Sequence, residues 1–310
     1  MTSTRNRTII VGTGIAGTSA AFAMRDAGYT GELTLIGEEP WPAYYRTRLP
    51  EMVSGEVTVD KLLVNTPAQY EEKRIRVLVN RPVHTVDADR REVQFADGAR
   101  QAFDQLLIAT GCRPFVPPLP GAEGRAEIFA LRSAQDATRI QQFARGRRHA
   151  VVVGGGLLGL EAAFHLTKLG LSVEVIETAP RLMPRQLDRR SSQLLKERLE
   201  KRGFTFLVGA KANRFSAECC GGGTSLELIG GHLCQGDLYL ISTGVVPRRE
   251  LVDPLGLACE RGIHIDPNGQ TSVEGVFAAG DNVQFENRIW GTWMAARHWG
   301  LRAGKAMAGQ

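Results

Sequence analysis

Gly12, Gly14 and Gly17 stand at the spacing G-x-G-x-x-G, and Gly154, Gly156 and Gly159 repeat that spacing later in the chain. Glycines so spaced, between an apolar run and a helical one, build a turn that cradles a phosphate. The first lets the chain turn tightly. The second leaves room for the backbone to approach a pyrophosphate, where a Cβ would collide. The third lets the helix pack close to the strand. The helix N-terminus offers unpaired N–H groups and a partial positive charge to the anion. An acid follows each loop: Glu38 comes 21 positions after Gly17, and Glu177 comes 18 positions after Gly159. A carboxylate there accepts hydrogen bonds from ribose hydroxyls. A single such loop could be a glycine turn in an unrelated fold. Two complete ones, each with its acid, point to two bound dinucleotides and a transfer between them.

The elements around the loops repeat as well. In the first copy, RTIIV reads as a buried strand, followed by a helix through Ala20–Ala27 and a strand, GELTLIGE, ending in Glu38. In the second, HAVVV is the strand, LEAAFHLTKLG the helix and LSVEVIE the strand that delivers Glu177. FDQLLIATGCRP at 103–114 is matched by GDLYLISTGVVPR at 236–248, each a strand leading into A/S-T-G, a basic residue and a proline. Before each lies a polar, turn-rich region, VHTVDADRREVQFADGA and FSAECCGGGTSLELIGG, that reads as a small antiparallel sheet. Residues 113–124, RPFVPPLPGAEG, hold four prolines and cannot continue a helix or a central strand, which makes them an interdomain linker. The fold class is α/β: two Rossmann-like dinucleotide-binding domains, each with a small antiparallel sheet.

Composition narrows the partners. At 310 residues, 43% hydrophobic and 23% charged, the chain is long enough for two globular domains, and 35 glycines suit many tight strand-to-helix turns. No apolar run reaches the roughly 20 residues that span a bilayer, so no membrane is expected. The N-terminus enters a core strand without a secretory apolar stretch, and the expected location is cytoplasmic. The net charge of +5 is not clustered; ARGRRH at 144–149 and DRREVQ at 89–94 lack interleaved aromatics. Nucleic acid is therefore not expected, and these runs read as solvated faces, with an acidic protein partner as the functional alternative. The five cysteines are odd in number and form no C-x-x-C pair, so neither a disulfide framework nor a metal site is expected. Cys219 and Cys220 read as incidental members of a surface turn.

With VFAAGDN at 276–282, these features resemble the two-dinucleotide-binding flavoprotein superfamily, which is glutathione-reductase-like in fold. The stretches PFVPPLPG, GGGLLGLEAA and APRLMPRQLD look most like rubredoxin reductases and the flavin-binding front part of NAD(P)H-dependent nitrite reductases. The resemblance implies FAD on the first loop and NAD(P)H on the second. It implies a FAD-binding domain at 1–115, an NAD(H)-binding domain at 116–245 and a return to the FAD domain at 246–310. It also implies that the usual C-terminal interface domain is lacking, or is supplied by a partner subunit in a hetero-oligomer. By position, the FAD pyrophosphate falls on Gly12, Gly14, Ile15, Ala16 and Gly17, and its ribose on Glu38. Arg46, Val83, Ala109, Thr110, Gly111 and Arg132 line the cofactor. Gly280 and Asp281 meet the ribityl chain. The final helix, beginning near WGTWMAARHWG, turns its N-terminus and Trp293 to the flavin, whereas Trp290 and Trp299 are expected to pack in the core. The nicotinamide cofactor falls on Gly154, Gly156, Leu157, Leu158, Gly159, Glu177 and Gly244. NADH is expected over NADPH, because Glu177 would meet a 2′-phosphate as a like charge and Arg181 would have to fold back to reach it.

The resemblance also places Glu161 near the nicotinamide, paired with a basic residue at the flavin. Relatives have a lysine for that pairing; this chain has Glu51 there, which leaves Arg48 as the candidate partner. Disulfide reductases of the superfamily carry a cysteine pair just after the first acid, where this chain reads EEPWPAYYRTRLPEM. Reduced flavin would then deliver electrons directly to an outside acceptor: rubredoxin, ferredoxin or a reductase subunit. Two other functions stay open at this point. The chain could be the FAD subunit of an amine or amino-acid dehydrogenase or oxidase. It could also be an NADH-sensing binding module resembling apoptosis-inducing factor.

Overall fold

The apolar run after Asn6 forms the strand Arg7–Val11, whose last four residues are buried. It lies at the centre of a five-stranded parallel sheet in the order Val276–Ala278, Gln105–Ile108, Arg7–Val11, Glu32–Ile36, Arg76–Leu78. A strand buried on both faces reads as continuous hydrophobicity, and this one does. The computed structural model, which describes residues 6–217 and 224–310, contains a second sheet of the same kind. Its order is Phe204–Val208, Ser172–Glu177, His149–Val153, Leu238–Ile241, Ile128–Phe129, again all parallel. In both sheets the strand that leads into A/S-T-G sits beside the strand that leads into the glycine loop. The α-helices among the described residues are α1 (Ile15–Asp26), α2 (Leu49–Val53), α3 (Pro67–Glu72), α4 (Ala134–Ala144), α5 (Leu157–Lys168), α6 (Arg189–Glu200) and α7 (Trp293–Met307).

The chain divides into two compact units. One holds Met1–Tyr45, Leu63–Arg113 and Val245–Gln310; the other holds Arg46–Leu62 and Pro114–Gly244. Each carries a three-stranded antiparallel sheet where the turn-rich regions lie: Val83–Asp87, Glu92–Phe95 and Arg100–Ala102 in the first, Ala212–Ala217, Thr224–Leu228 and Leu233–Gln235 in the second. Cys219 and Cys220 lie outside the described residues.

Four details differ from the sequence expectation. Helix α1 begins at Ile15, directly after the second glycine of the loop, and not near Ala20. The strand Glu32–Ile36 stops two residues short of Glu38, which stands in the following loop. Residues 46–62, expected in the first domain, belong to the second unit, because α2 packs on α4 and α5. The Ser54 hydroxyl lies 2.8 Å from His165 Nδ1, and Lys168 pairs with Glu56. The proline-rich segment is likewise more than a linker. Leu119 is buried in the second unit's core, and the Pro120 carbonyl accepts a hydrogen bond from the Phe215 N–H at 2.8 Å.

Within the first unit, α7 lies against α1 at close range. A Cβ on Gly300 would stand 2.2 Å from the Ala16 carbonyl oxygen, and one on Gly304 2.4 Å from that of Ala20. Only hydrogen fits between two backbones this close, so the C-terminal helix is fixed on the helix that leaves the first loop. No helix among the described residues is long and apolar enough to cross a membrane.

Candidate functional site

The first loop is built by exclusion. Gly12 has φ +122°, and a Cβ there would stand 2.0 Å from the Ala109 carbonyl oxygen on the neighbouring strand's loop; a Cβ on Gly17 would stand 2.0 Å from the Gly12 carbonyl oxygen. A Cβ on Gly14 would meet nothing within 4 Å. Gly14 is therefore not needed for packing; the space in front of it is open. Helix α1 starts there with no side-chain cap and no acid in its first turn. Its first bonded N–H is that of Thr18, to the Gly14 carbonyl, so Ile15, Ala16 and Gly17 present the helix's free donors. Free N–H groups over open space, at the positive end of a helix, are what a pyrophosphate requires.

The second loop repeats this arrangement. Gly154 has φ +121° and would place a Cβ 2.2 Å from the Ser242 carbonyl oxygen; Gly159 would place one 2.2 Å from that of Gly154; Gly156 faces open space. Helix α5 is also uncapped, its first bonded N–H being that of Leu160. Leu157 is exposed and Leu158 half-buried at this helix start. By contrast α4, which follows no such loop, is closed by a capping box between Ser133 and Asp136.

The two acids are held differently. Glu177 ends its strand, and its carboxylate accepts the Gly155 N–H and the Ala179 N–H, both at 2.7 Å. Those bonds fix it against the second loop. Glu38 instead receives the Arg248 guanidinium as a fork, with both contacts at 2.7 Å. Arg248 was not singled out from sequence; its signal was the basic residue after the proline in TGVVPR. Around the first loop, the return segment is in place. A Cβ on Gly280 would lie 3.0 Å from Ala16 Cβ, and Asn282 donates to the Ile108 carbonyl at 3.1 Å. The Cys112 thiol donates to Asp281 Oδ2 at 3.3 Å. Thr110 and Gly111 follow in the loop after Gln105–Ile108, and Val83 packs half-buried on the same core.

Two buried polar atoms here have no partner among the described residues: Asn282 Oδ1 and the Trp293 indole Nε1. Native interiors rarely leave such groups unsatisfied. Trp293 also stacks on Tyr45, with centroids 5.5 Å apart. An orphan donor, an orphan acceptor and an open glycine cradle in one unit fit a bound dinucleotide with polar edges. Trp299 is buried at 7% exposure, as expected of a core residue, but Trp290 is 48% exposed. It precedes α7 in a loop, with Arg288 over its ring, and so cannot share the helix's buried face. Gly244, beyond the strand Leu238–Ile241, has φ +117° and open space at its Cβ. Arg46 and Arg132, expected to line FAD, both lie in the second unit, where Arg46 Nη1 donates to the Arg132 carbonyl at 2.8 Å.

Glu161 stands at a cavity of about 350 Å³ in the second unit, lined also by Thr47, Glu51, Leu157, Phe164 and His165. Desolvation, reinforced by the Glu51 carboxylate, pushes its carboxyl above the usual range. Arg48 does not pair with it. Arg48 Nε and Nη2 hold Glu51 at 2.7 and 2.6 Å, and this hydrogen-bonded pair keeps the Glu51 carboxyl below its ordinary value. The reason is local: Arg48 precedes α2 and Glu51 lies in its first turn, three residues on, so the fork closes within one turn. Among the described residues Glu161 has no ion pair. His165, buried beside it, is pushed below its ordinary value, first by burial and then by Lys168.

A family model described as pyridine nucleotide-disulphide oxidoreductase matches residues 6–300. The chain belongs to that family. It is 35% identical over 272 residues to the biphenyl dioxygenase system ferredoxin–NAD(+) reductase component of Paraburkholderia xenovorans (strain LB400), covering 88% of this chain and 66% of that one. It is 32% identical to nitrite reductase [NAD(P)H] of Bacillus subtilis (strain 168), covering 93% and 35% respectively. It is 30% identical to rubredoxin–NAD(+) reductase of Ectopseudomonas oleovorans, covering 92% and 74%. The chain thus spans just under two thirds of the first relative and about a third of the second. The crystal structure of the ferredoxin reductase for the CYP199A2 system of Rhodopseudomonas palustris superposes with a TM-score of 0.91 at 27% identity, covering 98% of this chain and 77% of that one. The resemblance to rubredoxin reductases and to nitrite reductases is therefore met by both kinds of relative. Family membership brings FAD and a pyridine nucleotide as the two dinucleotides. The family's name speaks of a disulphide, yet among the described residues Cys112, Cys234 and Cys259 form none.

Proposed function

We propose that this chain takes hydride from NADH onto FAD and passes electrons singly to a small iron–sulfur protein of the rubredoxin or ferredoxin type, without a redox-active disulfide. The observation that carries this reading is the pair of matched open loops, one in each unit, with no cysteine in the segment after Glu38 where a disulfide relay would stand. The first loop, with Asp281, Asn282 and Trp293, belongs to FAD; the second, with Glu177, belongs to NADH. Bound FAD supplies the two-electron to one-electron conversion. The balance is one NADH and two oxidised acceptors giving NAD⁺, one proton and two reduced acceptors. The names of the relatives support it, since they are ferredoxin and rubredoxin reductases. Anaerobic addition of NADH should bleach the yellow protein at once. Bleaching by an amine, with no response to NADH, would favour a dehydrogenase subunit instead.

NADH is preferred over NADPH in this reading. A 2′-phosphate beside Glu177 meets a like charge, worth up to about 4 kcal/mol at 4 Å and an effective dielectric near 20, and less at an exposed ribose site. Arg181 does not offset it, because its guanidinium is held by the Pro184 carbonyl at 3.0 Å and the Leu187 carbonyl at 3.4 Å. Glu177→Ala should move the kcat/KM ratio toward NADPH by about tenfold, which corresponds to roughly 1.4 kcal/mol. A wild type that prefers NADPH, or a ratio that does not move, would show that Glu177 does not read the ribose.

No thiol takes part in turnover on this account. Replacing Cys112 by Ser, which keeps a donor to Asp281, and the other four cysteines by Ala should leave NADH-to-ferricyanide activity largely intact. A loss of about a thousandfold in a folded, flavin-loaded variant, roughly 4 kcal/mol of barrier, would refute it.

A further inference from the structure

Away from both loops, the second unit brings three unlike side chains to one point. Glu174 stands on the strand Ser172–Glu177 of the parallel sheet, Cys234 on the strand Leu233–Gln235 of the antiparallel sheet, and His232 on the turn just before it. A carboxylate oxygen, an imidazole nitrogen and the thiol sulfur lie within 4.8 Å of one another. Cys234 is 1% exposed, Glu174 is partly buried and His232 is open to solvent. We propose that Glu174, His232 and Cys234 form a binding site for a thiophilic divalent cation, with Zn²⁺ the best match and water in the fourth position.

The donor set argues for the class of metal. Sulfur, imidazole and carboxylate together suit Zn²⁺ and its thiophilic neighbours, whereas Mg²⁺ and Ca²⁺ take oxygen. At zinc bond lengths of roughly 2.0–2.3 Å, donors around a tetrahedron stand about 3.3–3.7 Å apart, so side-chain rotations are enough to close the set. The backbone under Cys234 is already fixed. The Tyr239 hydroxyl accepts the Gly236 N–H at 2.8 Å and lies between the carbonyls of Thr224, at 2.5 Å, and Cys234, at 3.3 Å. The open side faces solvent through His232, which gives the ion an entry path and the fourth ligand its room. On binding, the S–H bond breaks, the proton leaves to solvent and the sulfur–metal bond forms, with no change of oxidation state. The bound ion would tie the antiparallel sheet to the parallel one. The sequence pattern did not show this, because the ligands come from separate strands and not from a C-x-x-C spacing.

The test uses the full chain as purified, stripped with a chelator and titrated with Co²⁺ as a spectroscopic probe. The expected result is one Co²⁺ per chain, with intense tetrahedral bands in the red, where oxidised flavin does not absorb, all displaced by Zn²⁺. Saturating Zn²⁺ should raise Tm by roughly 5 °C. His232→Ala, at an exposed turn, leaves the fold intact and should weaken binding at least about 100-fold, as should Cys234→Ala. The double variant Cys219→Ala, Cys220→Ala should bind as wild type does. Absence of the bands, or bands that survive His232→Ala, or bands lost only with Cys219 and Cys220, would overturn the proposal.

Discussion

Gly14→Val should give a folded protein that carries no flavin. Gly14 has φ −68° and ψ −176°, an extended conformation open to any residue, and its Cβ direction meets no atom within 4 Å. The fold therefore accepts the side chain. The ligand does not, because valine fills the place where the pyrophosphate meets the free N–H groups of Ile15, Ala16 and Gly17. Charge-assisted bonds of this kind contribute about 1.5–3 kcal/mol each, so losing two lowers FAD affinity by at least a hundredfold. Flavin absorbance per chain and a circular-dichroism melt settle it together: a colourless protein with a normal melt is expected. Stoichiometric flavin in the variant would remove the first loop from the cofactor site. Gly12→Val and Gly17→Val are no substitute, since each would drive a Cβ to 2.0 Å from a backbone oxygen and disturb the fold itself.

Gly156→Val should do the reverse. Its backbone is also extended, with φ −80° and ψ 178°, and its Cβ direction is also open. The variant should keep its full flavin complement and be reduced normally by dithionite. Reduction by NADH should lose at least about a hundredfold in kcat/KM, some 2.7 kcal/mol, from the blocked pyrophosphate. The two variants test one another. Flavin lost from Gly156→Val and retained in Gly14→Val would exchange the cofactors between the units.

Much of this was legible in the sequence because it rests on local spacing. Both glycine loops, both parallel strands beside each loop and both antiparallel sheets follow from residue type at short range. Glu177 was legible for the same reason: it closes a strand and bonds back onto its own loop. What escaped lies at long range. Arg248 meets Glu38 across 210 positions, and Cys112 meets Asp281 across 169, so no local pattern announces either. The pairing of Arg48 was misread because a position matched to relatives does not show which carboxylate is nearer; Glu51, one helical turn away, competes with Glu161 and wins. Trp290 was misread because tryptophan argues for burial only until its element is known. The second unit's claim on residues 46–62 was invisible because it depends on α2 packing against α4 and α5, which lie far along the sequence.

The proposed reaction runs from NADH through FAD to a one-electron acceptor with no thiol between. It is tested most directly by anaerobic stopped-flow, mixing the flavin-loaded protein with one equivalent of NADH and then with oxidised rubredoxin or ferredoxin. Full bleaching of the flavin by that single equivalent is expected, followed by recovery of its absorbance as two equivalents of iron–sulfur protein are reduced. A flavin that NADH does not bleach, or a bleached flavin that leaves both iron–sulfur proteins oxidised, would contradict it.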